Sequence, residues 1–161
     1  MKIYILVLLS IILSSPGVSA QQIPDVKLDD LQGKSFNTGL LNKADAKVTV
    51  LAFWATWCIP CINELSTVND NLDDWKKKYQ FDFYAVSEDD SRTINRVKPL
   101  VNGKNWDFTV LLDKNQDLKR KLNVMNVPYT MIIKGGKIIY KHSGFVIGDE
   151  EALLKVIKDN Q

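Results

Sequence analysis

Apolar and polar residues follow one another along the chain in blocks that predict strands separated by helices. Residues 47–54 (Lys-Val-Thr-Val-Leu-Ala-Phe-Trp) form a nearly continuous apolar run, which is typical of a strand buried on both faces of a sheet. After Cys61 the apolar residues recur every three or four positions, which predicts an amphipathic helix of about five turns. These apolar residues are Ile62, Leu65, Val68, Leu72, Trp75 and Tyr79.

The rest of the chain continues this alternation. Residues 26–36 predict a small N-terminal β-hairpin, because turn residues follow a short alternating segment. Further strands are predicted over residues 81–86, 108–112, 129–133 and 137–142, and further helices over residues 89–101, 116–122 and 149–158. An interruption is expected near Pro99, and Gly135-Gly136 indicates a tight hairpin turn. The order predicts one α/β domain, in which helices flank a central mixed β-sheet.

The polar residues Glu88, Asp89, Asp90 and Ser91 predict how the second helix starts. Acidic side chains stabilise the positive end of a helix dipole, and an oxygen of Asp90 or Ser91 can cap the first turn. We therefore expect these residues to form the N-terminal end of that helix.

The first 20 residues have the pattern of a secretory signal peptide. Lys2 precedes an apolar run over residues 3–13, and Val18-Ser19-Ala20 ends the segment with small residues. A bilayer span takes about 20 apolar residues, so this run is too short for the alternative, a retained membrane anchor. We expect cleavage after Ala20, which leaves residues 21–161 as one exported domain without stable membrane insertion.

Composition narrows the class of protein. A hydrophobic fraction of 45% and a charged fraction of 25% are ordinary for a globular domain. Twenty-one Lys and Arg residues nearly balance nineteen Asp and Glu residues, and the longest basic run is three lysines, so no nucleic-acid partner is expected. The chain has one histidine and two cysteines, which do not suffice for a multi-ligand zinc site. The two cysteines are therefore the residues whose chemistry decides the function.

The cysteines stand between the buried strand and the long helix, in the sequence Cys58-Ile59-Pro60-Cys61. A helix N-terminus stabilises an anion, and a cysteine there has its pKa lowered from about 8.5 to about 3.5–7.5. We expect Cys58 to be the nucleophilic thiolate and Cys61 to lie one turn inward, less exposed. Cys58 attacks a substrate disulfide, and Cys61 then attacks Cys58 and releases the reduced substrate. Pro60 suits the first helical turn and stiffens the geometry between the sulfurs.

A structural, metal-binding or haem-binding role suits the cysteine pair less well than redox chemistry does. A structural disulfide closing so short a loop adds only roughly 2 kcal/mol of stability. A metal site needs two more ligands, and His142, expected to be a surface strand residue, supplies at most one. Haem attachment requires a histidine after the second cysteine, where Ile62 stands. The alternative that stays open is a non-catalytic module that binds a metal or a partner protein.

Residues 50–61 (Val-Leu-Ala-Phe-Trp-Ala-Thr-Trp-Cys-Ile-Pro-Cys) resemble the active-site segment of the thioredoxin superfamily. They are most similar to the exported TlpA/ResA-like thiol-disulfide oxidoreductases, and the resemblance covers most of residues 21–161. It implies a thioredoxin-like fold and a periplasmic reductant that is fed by a membrane-embedded electron donor. The implied substrates are protein disulfides, in cytochrome c maturation or general disulfide reduction. We expect a monomer without a metal or an organic cofactor.

The resemblance assigns further residues to substrate positioning. Pro128 matches the proline that the superfamily holds in cis facing the two sulfurs, and the backbone of Val127 is implied to pair with an extended substrate segment. The alternative is an ordinary turn before a strand. Trp57 either shields the thiols and contacts partners or packs in the core, whereas Trp54 is expected to be a core residue.

Glu64 matches an acidic position of the TlpA/ResA-like group. It stands three residues after Cys61, where a partly buried carboxylate can accept the proton of that thiol. The alternative is a solvated glutamate that complements the helix dipole. Ala52 replaces the buried aspartate of cytosolic thioredoxins, so proton transfer has to use another group. Ser66 replaces a proline usual in the family, which puts the helix bend expected there in doubt.

Overall fold

The structure, a computed structural model, describes residues 22–161. The predicted signal peptide lies outside these residues. The strands are β1 (Lys27–Asp30), β2 (Ser35–Asn37), β3 (Val48–Trp54), β4 (Phe81–Ser87), β5 (Thr109–Leu112), β6 (Tyr129–Lys134) and β7 (Lys137–Ser143). The α-helices are α1 (Ile59–Lys78), α2 (Val97–Gly103), α3 (Asp117–Lys121) and α4 (Asp149–Asp159), and short 3-10 helices occupy Thr38–Asn42 and Ile94–Arg96.

One mixed sheet carries the seven strands in the order β2-β1-β5-β4-β3-β6-β7. The strand β3 lies between β4, which runs parallel to it, and β6, which runs antiparallel. At one edge, β1 and β2 form the predicted N-terminal hairpin. At the other, Gln22 forms a bridge with Lys137 at the start of β7. The predicted α/β class and element order are confirmed.

Both faces of the sheet are covered, which explains the continuous apolar run of β3. Because successive side chains of a strand point to opposite faces, Val50, Ala52 and Trp54 belong to one core cluster, together with Leu65 of α1. The alternate apolar residues of β3, Leu51 and Phe53, belong to the second cluster with α3. All seven residues of β3 are buried.

The second helical segment starts later than predicted. The chain turns at residues 91–93 and enters a 3-10 helix at Ile94 before α2 begins. Pro99 is the third residue of α2, where a backbone N–H has no intrahelical acceptor, so it causes no interruption. The prediction that Glu88 and Asp89 start this helix was wrong, since both side chains are buried. Asp90 accepts a hydrogen bond from the backbone N–H of Arg92 in the turn itself.

The helix α1 is continuous across Ser66, where the family usually has a proline. The Ser66 hydroxyl accepts a hydrogen bond from the indole N–H of Trp106, at 3.3 Å. Trp106 in turn packs edge-on against Trp54, with ring centroids 5.3 Å apart. The serine therefore supplies a partner for a buried indole.

The hairpin between β6 and β7 turns at Gly135-Gly136, as predicted. Both glycines have positive φ, and a Cβ at Gly136 would lie 2.9 Å from the Cα of Asn42. The hairpin pairs Thr130 with His142. This register brings His142 to the part of the sheet that α1 and α4 cover.

Candidate active site

Three loops meet at one edge of the sheet because of the register of its central strands. Trp54, the last residue of β3, pairs with Ser87, the last residue of β4. Phe53 pairs with Tyr129, the first residue of β6. The segments that follow β3 and β4 and the segment that precedes β6 therefore lie side by side. The two cysteines and the cis proline belong to two of these segments.

The two cysteines form a disulfide, with their Cα atoms 5.3 Å apart. Cys58 is the N-cap of α1, and its sulfur accepts a hydrogen bond from the backbone N–H of Cys61 at 3.2 Å. Both are buried, and Cys61 is the less exposed of the two. On reduction, this N–H and the helix dipole stabilise a thiolate on Cys58. The geometry is the one expected from the sequence, with Pro60 in the first turn of α1.

The residues that flank the disulfide differ sharply in burial. Trp57 is 59% exposed and Ile59 is also exposed, whereas Trp54 is fully buried. The alternative that Trp57 packs in the core is therefore wrong, and the assignment of Trp54 to the core is confirmed. An exposed indole beside a reactive sulfur offers a contact surface to a second molecule.

The peptide bond between Val127 and Pro128 is cis, as the resemblance implies. The Pro128 carbonyl oxygen accepts a hydrogen bond from the N–H of Gly144, at 2.9 Å. This bond attaches the loop after β7 to the same edge of the sheet. Val127 itself is partly buried against both core clusters.

Asp89, predicted at a helix start, instead holds the turn before Cys58. One of its carboxylate oxygens accepts the Thr56 hydroxyl hydrogen at 2.6 Å. The other accepts the Thr56 backbone N–H and the Ser87 hydroxyl hydrogen, each at 2.9 Å. The sequence does carry a signal for this role, since polar residues directly after a buried parallel strand lie at the edge where its neighbour ends.

Glu64 is buried and only 6% exposed, so the alternative of a solvated glutamate is wrong. Its Oε1 accepts a hydrogen bond from the Thr130 hydroxyl at 2.7 Å, and its Oε2 has no partner among the described residues. Burial raises the pKa of Glu64 to about 7, although the bond from Thr130 lowers it. Residues three apart on a helix are neighbours, so Glu64 stands beside Cys61.

His142 is more than the surface strand residue expected from the sequence. Its side chain is 35% exposed, and its Nε2 lies 3.1 Å from Oδ2 of Asp149. The imidazole is stacked on the ring of Tyr140. His142 and Glu64 line one small cavity. Local sequence patterns carry no sign of this arrangement, since the two residues belong to separate elements and come together only through the pairing of β6 with β7.

The described part of the chain has neither a membrane-spanning helix nor a grouped metal-ligand set. Within residues 22–161, no helix combines the length and apolar character that a membrane span requires. In the same residues, no three histidine, cysteine or acidic side chains are grouped to hold a metal ion.

Known proteins are similar to this chain in sequence and in fold. The thiol-disulfide oxidoreductase ResA of Bacillus anthracis is 29% identical over 131 residues, which cover 81% of this chain and 70% of that protein. The solution structure of a thioredoxin-like protein from Porphyromonas gingivalis is 36% identical, with a TM-score of 0.73, and covers 87% of this chain and 92% of its own. The crystal structure of a candidate thiol:disulfide interchange protein DsbE from Chlorobium tepidum is 27% identical, with a TM-score of 0.76. The match covers 88% of this chain and 96% of that chain.

The fold and the paired cysteines together define a thioredoxin-like thiol-disulfide oxidoreductase. The model of the AhpC/TSA family matches residues 19–151, and the chain belongs to that family. The resemblance to ResA-like enzymes that the active-site segment suggested is thereby confirmed.

Replacing Asp89 with alanine is expected to lower the free energy of unfolding by about 3 kcal/mol, because the buried Ser87 hydroxyl and the half-buried N–H and hydroxyl of Thr56 lose their acceptor. Asp90→Ala is the matched control, since its ion pair is with the exposed Arg92 and its loss should lower the free energy of unfolding much less. Urea unfolding of the disulfide form measures both. Equal losses in the two variants would contradict the assigned role of Asp89.

The burial of Glu64 predicts pH-dependent stability. Its pKa of about 7 lies above the ordinary 4.5, so the folded state binds this proton more tightly than the unfolded chain does. The resulting stabilisation is complete below about pH 4.5 and is lost as pH rises through 7. Glu64→Gln lacks this titrating group. Its free energy of unfolding, relative to that of the wild type, should therefore rise by about 3 kcal/mol between pH 4 and pH 8.

Urea unfolding of the disulfide form at the two pH values measures this difference. The exposed Glu151, replaced by glutamine, serves as the control and should show no comparable gain. A Glu64→Gln variant that differs from the wild type equally at both pH values would show that the buried carboxyl is not the titrating group.

Proposed function

We propose that this enzyme is an exported reductant of protein disulfides that acts in cytochrome c maturation or in general disulfide reduction. The observation that carries the proposal is the buried carboxyl of Glu64 one helical turn beyond Cys61. It supplies a base for the step in which Cys61 has to become a thiolate. The proposed catalytic residues are Cys58, Cys61 and Glu64, and the proposed substrate-positioning residues are Trp57, Pro60, Val127 and Pro128.

The reaction begins with the reduced cysteine pair. The Cys58 thiolate attacks one sulfur of the substrate disulfide, which forms a mixed disulfide and releases the other substrate sulfur as a thiolate. Glu64 then takes the proton of Cys61, and the Cys61 thiolate attacks the Cys58 sulfur. This second attack forms the Cys58–Cys61 disulfide and releases the second substrate thiolate. Two electrons pass from the enzyme to the substrate, and the reverse steps oxidise a substrate dithiol.

Charge near the cysteines supports the reducing direction. Strong oxidants of this type stabilise their reduced, thiolate form. Here Asp89 holds the turn before Cys58, and Glu64 follows Cys61, so two buried carboxyl groups flank the pair. When ionised, each disfavours additional negative charge on the sulfurs. This environment favours the disulfide form and lowers the reduction potential.

The surface around the disulfide supports a protein as substrate. Exposed apolar side chains extend from the loops and the first residue of α1 at this edge of the sheet: Trp57, Ile59, Met125, Val146 and Ile147. Such side chains bury apolar area against a polypeptide, which a small thiol cannot cover. The backbone of Val127, beside the cis proline, is proposed to pair with an extended segment of that substrate.

Export and electron supply follow from the proposed direction. A reductant that acts outside the cytosol needs a donor of electrons, which we place in the membrane and in contact with the oxidised form. The signal-like residues 1–20 support export to the periplasm, followed by cleavage after Ala20. The domain is proposed to act as a monomer over residues 21–161.

Replacing Cys61 with serine tests turnover against the alternative of a non-catalytic metal- or partner-binding module. Turnover predicts that this variant accumulates mixed disulfides through Cys58, because the resolving thiol is missing. Cys58→Ser is the matched control and should trap none. Non-reducing gels of cells that express each variant measure the adducts. Absence of adducts, with weakened metal or partner binding, would favour the binding module.

The reduction potential tests the direction of electron flow. Equilibration of the purified protein with defined thiol buffers is expected to give a value near or below about −250 mV. Quantifying the free thiols of Cys58 and Cys61 in each buffer gives the potential directly. A value near about −120 mV would make the protein an oxidant, and a pair that fails to cycle would remove the catalytic role altogether.

A further inference from the structure

The cavity behind the cysteine pair connects Glu64 with a second titratable group. It lies between α1, the hairpin of β6 and β7, and the first turn of α4, and its volume is about 10 Å³. A cavity of this size has room for about one water molecule. Glu64 and Thr130 form part of its wall, and His142 and Asp149 form another part. The carboxyl group of Glu64, whose Oε2 has no partner among the described residues, belongs to this wall.

The charged and titratable side chains in the wall are Glu64 from α1, Tyr140 and His142 from β7, and Asp149 and Glu150 from α4. The two α4 carboxyl groups in this wall each accept a hydrogen bond from a backbone N–H. Asp149 accepts from Val146 at 2.8 Å, and Glu150 accepts from Gly148 at 2.8 Å. Burial raises the pKa of Tyr140, so its hydroxyl keeps its proton.

His142 is the remaining group in the wall that can both accept and donate a proton, because its imidazole ring has two nitrogens. Its side chain reaches solvent on one side and the cavity on the other. When Nε2–H donates to Asp149, the second ring nitrogen is left as an acceptor. The carboxylate of Asp149 also stabilises the imidazolium that forms when this nitrogen is protonated.

We propose that His142, held by Asp149, passes to solvent the proton that Glu64 takes from Cys61. The inference rests on the proposed role of Glu64 as the base. First, the S–H bond of Cys61 breaks and an O–H bond forms on Glu64. A water in the cavity then accepts this proton while giving one of its own to the imidazole. The imidazolium finally gives the proton that it gained to solvent and keeps its Nε2–H on Asp149. His142 and Glu64 both return to their starting states, and no electrons move in the relay.

The test separates the two steps of a single turnover. The reduced protein is mixed with a substoichiometric aromatic disulfide that releases the coloured thionitrobenzoate thiolate. The first release reports attack by Cys58, and the second reports attack by Cys61. His142→Asn should slow the second release about tenfold near pH 7 and leave the first unchanged. The expected loss is smaller than the contribution of about 100-fold or more from a group that takes the proton directly, because His142 acts through Glu64. Imidazole added to the buffer should restore the second rate.

Two further variants make the result specific. Ile139→Thr changes β7 outside the cavity and should leave both rates unchanged. If His142→Asn does not fold, His142→Phe carries the same test, because it keeps a ring stacked on Tyr140. An unchanged second release, an equal loss in both releases, or a loss that imidazole does not restore would overturn the proposal.

Glu64→Gln distinguishes failure of the relay from failure of the base. If Glu64→Gln slows the second release and His142→Asn does not, the relay is wrong and the base role stands. If neither variant slows it, both are wrong. When both residues act in one path, adding His142→Asn to Glu64→Gln should slow the reaction no further.

Discussion

Burial of β3 on both faces is the constraint on which the rest of the structure depends. A strand covered on both sides has to lie inside the sheet, with a strand on each flank and helices above and below. In this chain its neighbours are β4 and β6, and their register brings the end of β4 and the start of β6 to the point where β3 ends. The cysteine pair, Asp89 and Pro128 meet there because of this arrangement, although 70 residues separate Cys58 from Pro128 in the sequence.

Two buried carboxyl groups near the cysteine pair have opposite roles in the stability of the fold. Asp89 accepts three hydrogen bonds from side-chain and backbone groups, so both of its oxygens have partners. Glu64 accepts one from Thr130 and keeps an oxygen without a partner among the described residues. An incompletely satisfied buried carboxyl reduces stability when it ionises. Burial also raises the pKa of Glu64 to about 7.

Local patterns made most of the fold predictable. The apolar run of β3, the helical periodicity of α1 and the paired glycines before β7 each depend on residues close together in the sequence. The cis bond at Pro128 was accessible only through the family resemblance. The contact between Asp89 and Thr56 spans 33 residues, and that between Glu64 and Thr130 spans 66. Such contacts depend on strand order and register, which the sequence pattern alone did not specify, and the same holds for the placement of His142 at the cavity.

The bridge between Gln22 and Lys137 fixes the start of the described chain at one end of the outermost strand. Lys137 begins β7, whereas Ser143 at the other end of that strand pairs with Tyr129 beside the cis proline. Seven strand residues at about 3.3 Å each place these ends about 20 Å apart. Gln22 therefore lies at the pole of the domain opposite the disulfide.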